Sequence, residues 1–195
     1  TVEGTETIPT GWSKRMRSFD AEDVPLKVQY RYRPQEYGDQ LVRMYLMTND
    51  EESKLGDTPL PDGVVRIFRD NGRDGLSYLA AQTIKYIPID DKIELNLGPD
   101  PEVIFELIKL RVFRDELWLQ IHGATELRKI GDGEVRKVEN ASLAGWDDHE
   151  IYSQRIRNYT GEEIEAEIRR SFPGHVIFKS QLEPKLHDYQ TVEFL

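Results

Sequence analysis

Along Lys27–Arg33 the apolar and aromatic residues fall at every second position, with Val28, Tyr30 and Tyr32 on one side and Lys27, Gln29, Arg31 and Arg33 on the other. A period of two is the pattern of a half-buried strand, because successive side chains of extended backbone leave on opposite faces. The pattern recurs. Ile93, Leu95 and Leu97 alternate with Glu94 and Asn96 until Gly98 stops the run, Val176 and Phe178 alternate with His175, Ile177 and Lys179, and Tyr189–Phe194 forms the last run. Leu41–Met47 carries apolar residues on both parities, broken only by Arg43, which predicts a more deeply buried strand. Asp70-Asn71-Gly72-Arg73-Asp74-Gly75 supplies residues that accept positive φ, so Gly63–Arg69 and Leu76–Ile84 are expected to pair as a hairpin. Short strands between frequent turns predict an all-β fold, an antiparallel β-sandwich with few or no helices.

Two segments carry conflicting local signals. Asp100-Pro101 could cap a helix, and Val103, Ile104, Leu107, Ile108 and Leu110 fit helical spacing. Yet Val103, Phe105 and Leu107 also fit one strand face, and Leu117, Leu119 and Ile121 repeat the alternation after the charged triplet Arg114-Asp115-Glu116. The reading adopted is a long hairpin turning at that triplet. Thr160-Gly161-Glu162-Glu163 is formally a capping box. Ile164, Ala166 and Ile168 nevertheless alternate with acidic and basic residues, and Pro173-Gly174 ends the run too soon for a typical helix, so 162–170 is also read as strand. On this plan Glu163, Glu165 and Glu167 project together from one face, an arrangement expected to lie in open solvent.

Residues 1–23 are polar and aperiodic, which predicts an extended arm or linker ahead of a β-sandwich domain over 24–195, with a charged hairpin excursion at 113–146. At 195 residues the chain is long enough to bury a core without covalent staples. Its formal charge of -10 opposes association with phosphate backbones and anionic lipid, so no nucleic-acid partner is expected. The basic residues Lys14, Arg15 and Arg17 are read as solvated. No run approaches the roughly 20 apolar residues that span a bilayer, so direct membrane insertion is not expected. With no cysteine, disulfides, thiolate metal sites and cysteine nucleophiles are excluded.

Residues with chemical potential are scattered. No G-x-S-x-G occurs, and His122, His149, His175 and His187 fall in four different segments, so no catalytic residues are assigned and no enzyme activity is expected. No cofactor is expected either. The densest set of possible metal ligands is Asp147-Asp148-His149-Glu150 beside Trp146, making Asp147, Asp148 and Glu150 weak candidates for an oxygen-ligated ion. Because consecutive strand residues face opposite ways, at most two of the four can share one ion. Trp12, Phe19, Trp118 and Trp146 are the candidate ligand or interface residues, for a protein partner or, as an alternative, a carbohydrate stacking on exposed rings.

The stretches Arg43–Asn49, Leu55-Gly56, Leu60–Arg69, Ile93–Asp100 and Arg155–Asn158 together resemble domain-of-unknown-function family 4139, which also forms the C-terminal part of mucoidy-inhibitor-A-like bacterial proteins. The resemblance covers roughly residues 28–195. It implies an all-β domain on the C-terminal side of a larger bacterial protein, with a periplasmic or cell-envelope location favoured and no known activity. It marks Gly56, Gly63 and Gly98 as turn glycines. It also implies one further strand after Leu195, so the C-terminal strand reads as truncated and its edge as open to self-association. The expected function is therefore a protein–protein interaction or scaffold module, with carbohydrate binding second and an uncharacterised hydrolase third.

Overall fold

The computed structural model describes residues 7–14, 20–56, 58–122, 127–129 (backbone only) and 140–195. The fold is all-β and sandwich-like, with one short helix. The chain divides into two compact units, the first formed by Thr1–Val103 with Tyr159–Leu195 and the second by Ile104–Asn158.

The first unit is built on a six-stranded sheet. Its strands are β1 (Lys27–Tyr32), β2 (Leu41–Thr48), β5 (Lys92–Pro99), β9 (Ala166–Ser171), β10 (Lys185–Leu186) and β11 (Thr191–Phe194), in the order β10-β11-β9-β1-β2-β5. A single helical turn, α1 (Pro34–Tyr37), with proline opening it, links β1 to β2. The expected hairpin is present as β3 (Gly63–Asp70) and β4 (Leu76–Ile84). Its turn is held by the Asn71 side chain, whose Oδ1 accepts the N–H groups of Arg73 and Gly75.

Ile67 of the hairpin and Ile93 and Leu95 of β5 are buried with Ile87, and Tyr45, Met47, Leu79 and Leu97 pack against them. This is the interface between the two layers. The edge of β5 is closed by a side chain, since Gln82 of β4 accepts the Asn96 N–H and donates to the Glu94 carbonyl. Near the end of β5 the register against β2 slips, and Gly98 at φ 81 takes the left-handed conformation that such a bulge needs.

The loops at one end of this core converge on Asn49, which is fully buried. Its Nδ2 donates to the carbonyls of Pro88 at 3.0 Å and Thr58 at 3.3 Å, while its Oδ1 accepts the Gly56 N–H at 3.0 Å. The backbone of Asn49 bonds to Asp90 and Asp91 as well. One amide thus satisfies polar groups from two loops that would otherwise be buried unpaired.

From Gln29 to Tyr32 β1 is buried on both faces. Tyr30 and Tyr32 are buried on one side, and Gln29 and Arg31 are buried on the other. The cause is its second neighbour, β9, which pairs with β1 in parallel and sets Glu167 beside Arg31. This one parallel pair is a departure from the expected all-antiparallel arrangement. Glu167 accepts Arg33 Nε at 2.7 Å and lies 3.0 Å from Arg169 Nε and 3.9 Å from Arg31 Nε. Glu165 in turn takes Lys27 at 2.7 Å and the Gln29 amide at 2.6 Å. The expectation of a solvated acidic face holds for Glu163 and Glu165, which are exposed, and is overturned for Glu167, which is buried among Arg31, Arg33 and Arg169.

Other expectations are also corrected. Arg114-Asp115-Glu116 is not a turn. β6 (Val103–Ile121) runs through it as one continuous strand, since Arg114 and Asp115 both find partners on β8 (Ala141–Asn158). Residues 175–179 form no strand. Gly174 at φ 81 turns the chain off the sheet, and Phe178 folds back edge-on against Phe172 with ring centroids 4.9 Å apart. The C-terminal run is not an open edge either, because β11 lies between β9 and β10, and the sheet ends on the two-residue β10. Both helix-like segments are free of helix.

The two core tyrosines predict an alkaline limit to stability. Tyr30 donates to Asp100 Oδ2 at 2.8 Å and Tyr32 to Asp39 Oδ1 at 2.6 Å. Burial, and then the bond to a carboxylate, pushes both hydroxyls from their ordinary value of 10.0 up to about 12. A raised folded-state value stabilises the protonated form, so the contribution is complete below pH 10 and is lost as the pH rises toward 12. Absorbance titration at the phenolate band should show Tyr30→Phe and Tyr32→Phe each removing a late-ionising group. Titration of all tyrosines near pH 10 in the folded protein would contradict the assignment.

Candidate functional site on the strand ribbon

The second unit is formed by β6 and β8, with β7 (Leu127–Lys129) paired to Trp118–Gln120 on the outer side of β6. The Tyr159 N–H bonds to the Glu102 carbonyl at one end of the β6–β8 pairing, and the His122 N–H to the Asn140 carbonyl at the other. From 102 to 122 along β6 is twenty positions, and from 159 to 140 along β8 is nineteen. β6 therefore carries one extra residue, a bulge.

Side-chain pairs place that bulge between Lys109 and Phe113. Lys109 Nζ meets Glu150 at 2.7 Å and the Tyr152 ring at 5.4 Å, so odd positions of β6 there share a face with even positions of β8. Phe113, however, stacks on His149 with centroids 4.6 Å apart and planes 3° from parallel, so beyond the bulge odd meets odd. The bulge thus decides which side chains of the two strands come together.

Alternation splits the acidic run Asp147–Glu150 between the faces. Asp148 accepts Arg114 Nε at 2.7 Å and the Trp146 indole N–H at 2.8 Å, and these two bonds hold its carboxyl below the ordinary range. Glu150 is engaged by Lys109 and by the Tyr152 hydroxyl. On the opposite face His149 Nε2 lies 2.6 Å from Asp115 Oδ1. One ligand atom from each of Asp115, Asp147 and His149 falls within 4.8 Å of the others. Of the three acids singled out in the sequence, only Asp147 belongs to this cluster. Asp115, across the strand and 32 positions earlier, was invisible without the β6–β8 register.

The candidate aromatic residues do not assemble. Trp12 is exposed in a turn closed by its N–H to the Pro9 carbonyl, and Phe19 lies outside the described residues. Trp118 and Trp146 are both partly exposed on the ribbon, but among the described residues no ring pair joins them. Trp146 lies under the Arg114 guanidinium at 4.6 Å.

In the first unit a cleft of about 210 Å³ is lined by Arg33, Glu36, Arg169, Ser171, His187 and Asp188 among others. It brings together the residue types of a nucleophilic relay without connecting them. The Ser171 hydroxyl bonds to Thr191 at 2.9 Å, and His187 Nε2 lies 3.2 Å from Arg169. The two arginines are committed to Glu36, Glu167 and Glu193. No family model, curated protein or solved structure matches the chain significantly.

Proposed function

We propose that this chain is a non-catalytic β-sandwich module that binds another protein, as part of a larger bacterial envelope protein of the kind its sequence resembles. The observation that carries the reading is the ribbon's surface. Ile108, Leu110 and Val112 of β6 and Ile151 of β8 are large apolar side chains left exposed, Leu110 to 62%. A ribbon of two long strands buries little by itself, and isolated hairpins are marginal in water. Exposed large apolar side chains concentrated on one pair of strands are typical of an interface.

Carbohydrate binding through Trp118 or Trp146 ranks second. Trp146 already has a cation over its ring and its N–H bonded to Asp148, which leaves less of it for a sugar. Hydrolysis ranks third, since Ser171 and His187 are bonded to other partners.

A photo-crosslinking residue placed at Leu110 or Ile151 in the full-length protein should give discrete protein adducts in the cell envelope. The same residue at Arg73, in the hairpin turn, serves as the control. Replacing Ile108 and Leu110 with glutamate should abolish the adducts formed from position 151 without lowering Tm, because these side chains contribute little to the folded core. Adducts no more frequent from the ribbon than from Arg73 would refute the reading.

A further inference from the structure

We propose that Asp115, Asp147 and His149 form a binding site for a first-row divalent cation, for which zinc is the probe. The proposal goes beyond protein binding and stands independently of it. An imidazole nitrogen with two carboxylates is a donor set suited to zinc, cobalt or nickel rather than to calcium, which takes oxygen ligands alone.

The three residues reach one face only because of the bulge. Without the extra residue in β6, Asp115 would share a face with Asp148 and Glu150, and His149 and Asp147 would lie on the other side of the ribbon. The face so formed gathers two carboxylates. Like charges held close across a strand pair oppose folding, and among the described residues Asp147 makes no hydrogen bond or ion pair. Its neighbours in sequence differ, for Asp148 and Glu150 each have a cation of their own. His149 cannot neutralise both carboxylates, and it carries charge only when protonated. A divalent ion would offset both.

The geometry needs little adjustment. Zinc binds such donors at roughly 2.0–2.2 Å in a tetrahedron, which sets the donors about 3.4 Å apart. His149 Nε2 and Asp115 Oδ1 are already closer than that, at 2.6 Å, so the cation would take the place of the proton between them and part them slightly. The remaining closure falls to Asp147, an exposed side chain that can rotate. The imidazole plane is fixed by its stack on Phe113. Three protein ligands leave one position for water.

Isothermal titration with zinc chloride, with cobalt chloride as a second probe, tests the site. The unmodified chain should bind one ion, Asp147→Asn and His149→Gln should each weaken binding at least tenfold, and Asp148→Asn should leave it unchanged. Zinc should raise Tm of the unmodified chain and of Asp148→Asn but not of His149→Gln. No binding would overturn the proposal by leaving Asp115 and His149 an ion pair and nothing more; binding that survives His149→Gln, or an Asp147→Asn variant that binds normally, would overturn it by placing the ion elsewhere or taking Asp147 out of the site. Circular dichroism of each variant confirms that the loss is not one of folding.

Discussion

Glu167→Ala should cost about 3–5 kcal/mol, the usual penalty for removing one partner of a buried ion pair, and lower Tm by on the order of 10 °C. Glu167 is 5% exposed, Arg31 is 6% exposed, and three guanidinium groups converge on this one carboxylate. Removing it leaves those cations buried or half-buried without their common counter-charge. Glu167→Gln should be nearly as harmful, since it keeps the shape and loses the charge. Replacing Arg31 and Glu167 together by methionine and leucine should be no milder than Glu167→Ala, because Arg33 and Arg169 still lose Glu167 and Glu94 loses Arg31. Thermal melts by circular dichroism measure all three. A loss under about 1 kcal/mol for Glu167→Ala would place this network among surface ion pairs, which contribute little.

The second large effect is expected at Gly56. Its φ of +90 is in the left-handed region, and a Cβ added there would lie 2.7 Å from both the carbonyl carbon and the Cα of Asp50. Those are backbone atoms, and the Leu55 N–H bonded to the Asp50 carbonyl at 2.9 Å keeps them in place. Any shift of residue 56 also breaks its bond to the buried Asn49 side chain. The left-handed conformation costs about 1–2 kcal/mol for a residue with a Cβ, and overpacking adds roughly 1–3 kcal/mol. Gly98→Ala separates the two effects, because Gly98 has φ +81 but open space where the Cβ would go. Denaturant unfolding should show Gly56→Ala costing about twice as much as Gly98→Ala or more. Equal losses would mean that the Asp50 backbone yields.

The strands that could be read from the sequence are those whose pattern is set locally. Gly72, with its positive φ, and the side chain of Asn71 fix the β3–β4 turn locally, and period-two alternation marks β1 and β5 wherever the chain places them. Pairing between distant segments was not legible. Gln29, Arg31 and Arg33 have the composition of a solvent face, and so have Glu165 and Glu167. Gln29, Arg31 and Glu167 are buried only because the two strands lie side by side, while Glu165 stays exposed at the rim. The same holds for the ribbon, where Arg114-Asp115-Glu116 reads as a charged turn until Asp148 and His149 are brought opposite. The alternation rule correctly separated Asp147 from Asp148, but a bulge leaves no mark in alternating sequence, so the side on which Asp115 would lie could not be known.

The contact between β1 and β9 spans 136 positions of chain, measured from Gln29 to Glu165. A ribosome adding about 5–20 residues per second delivers the second strand roughly ten seconds after the first. During that interval β1 has an incomplete neighbourhood, with Tyr30 and Tyr32 in search of cover and Arg31 and Arg33 without Glu167. Contacts of such long sequence separation also slow folding, since the loop must close before the pairing repays it. The native sheet is therefore one of the last things this chain can make, and its first strand must be kept from other partners until its own is synthesised.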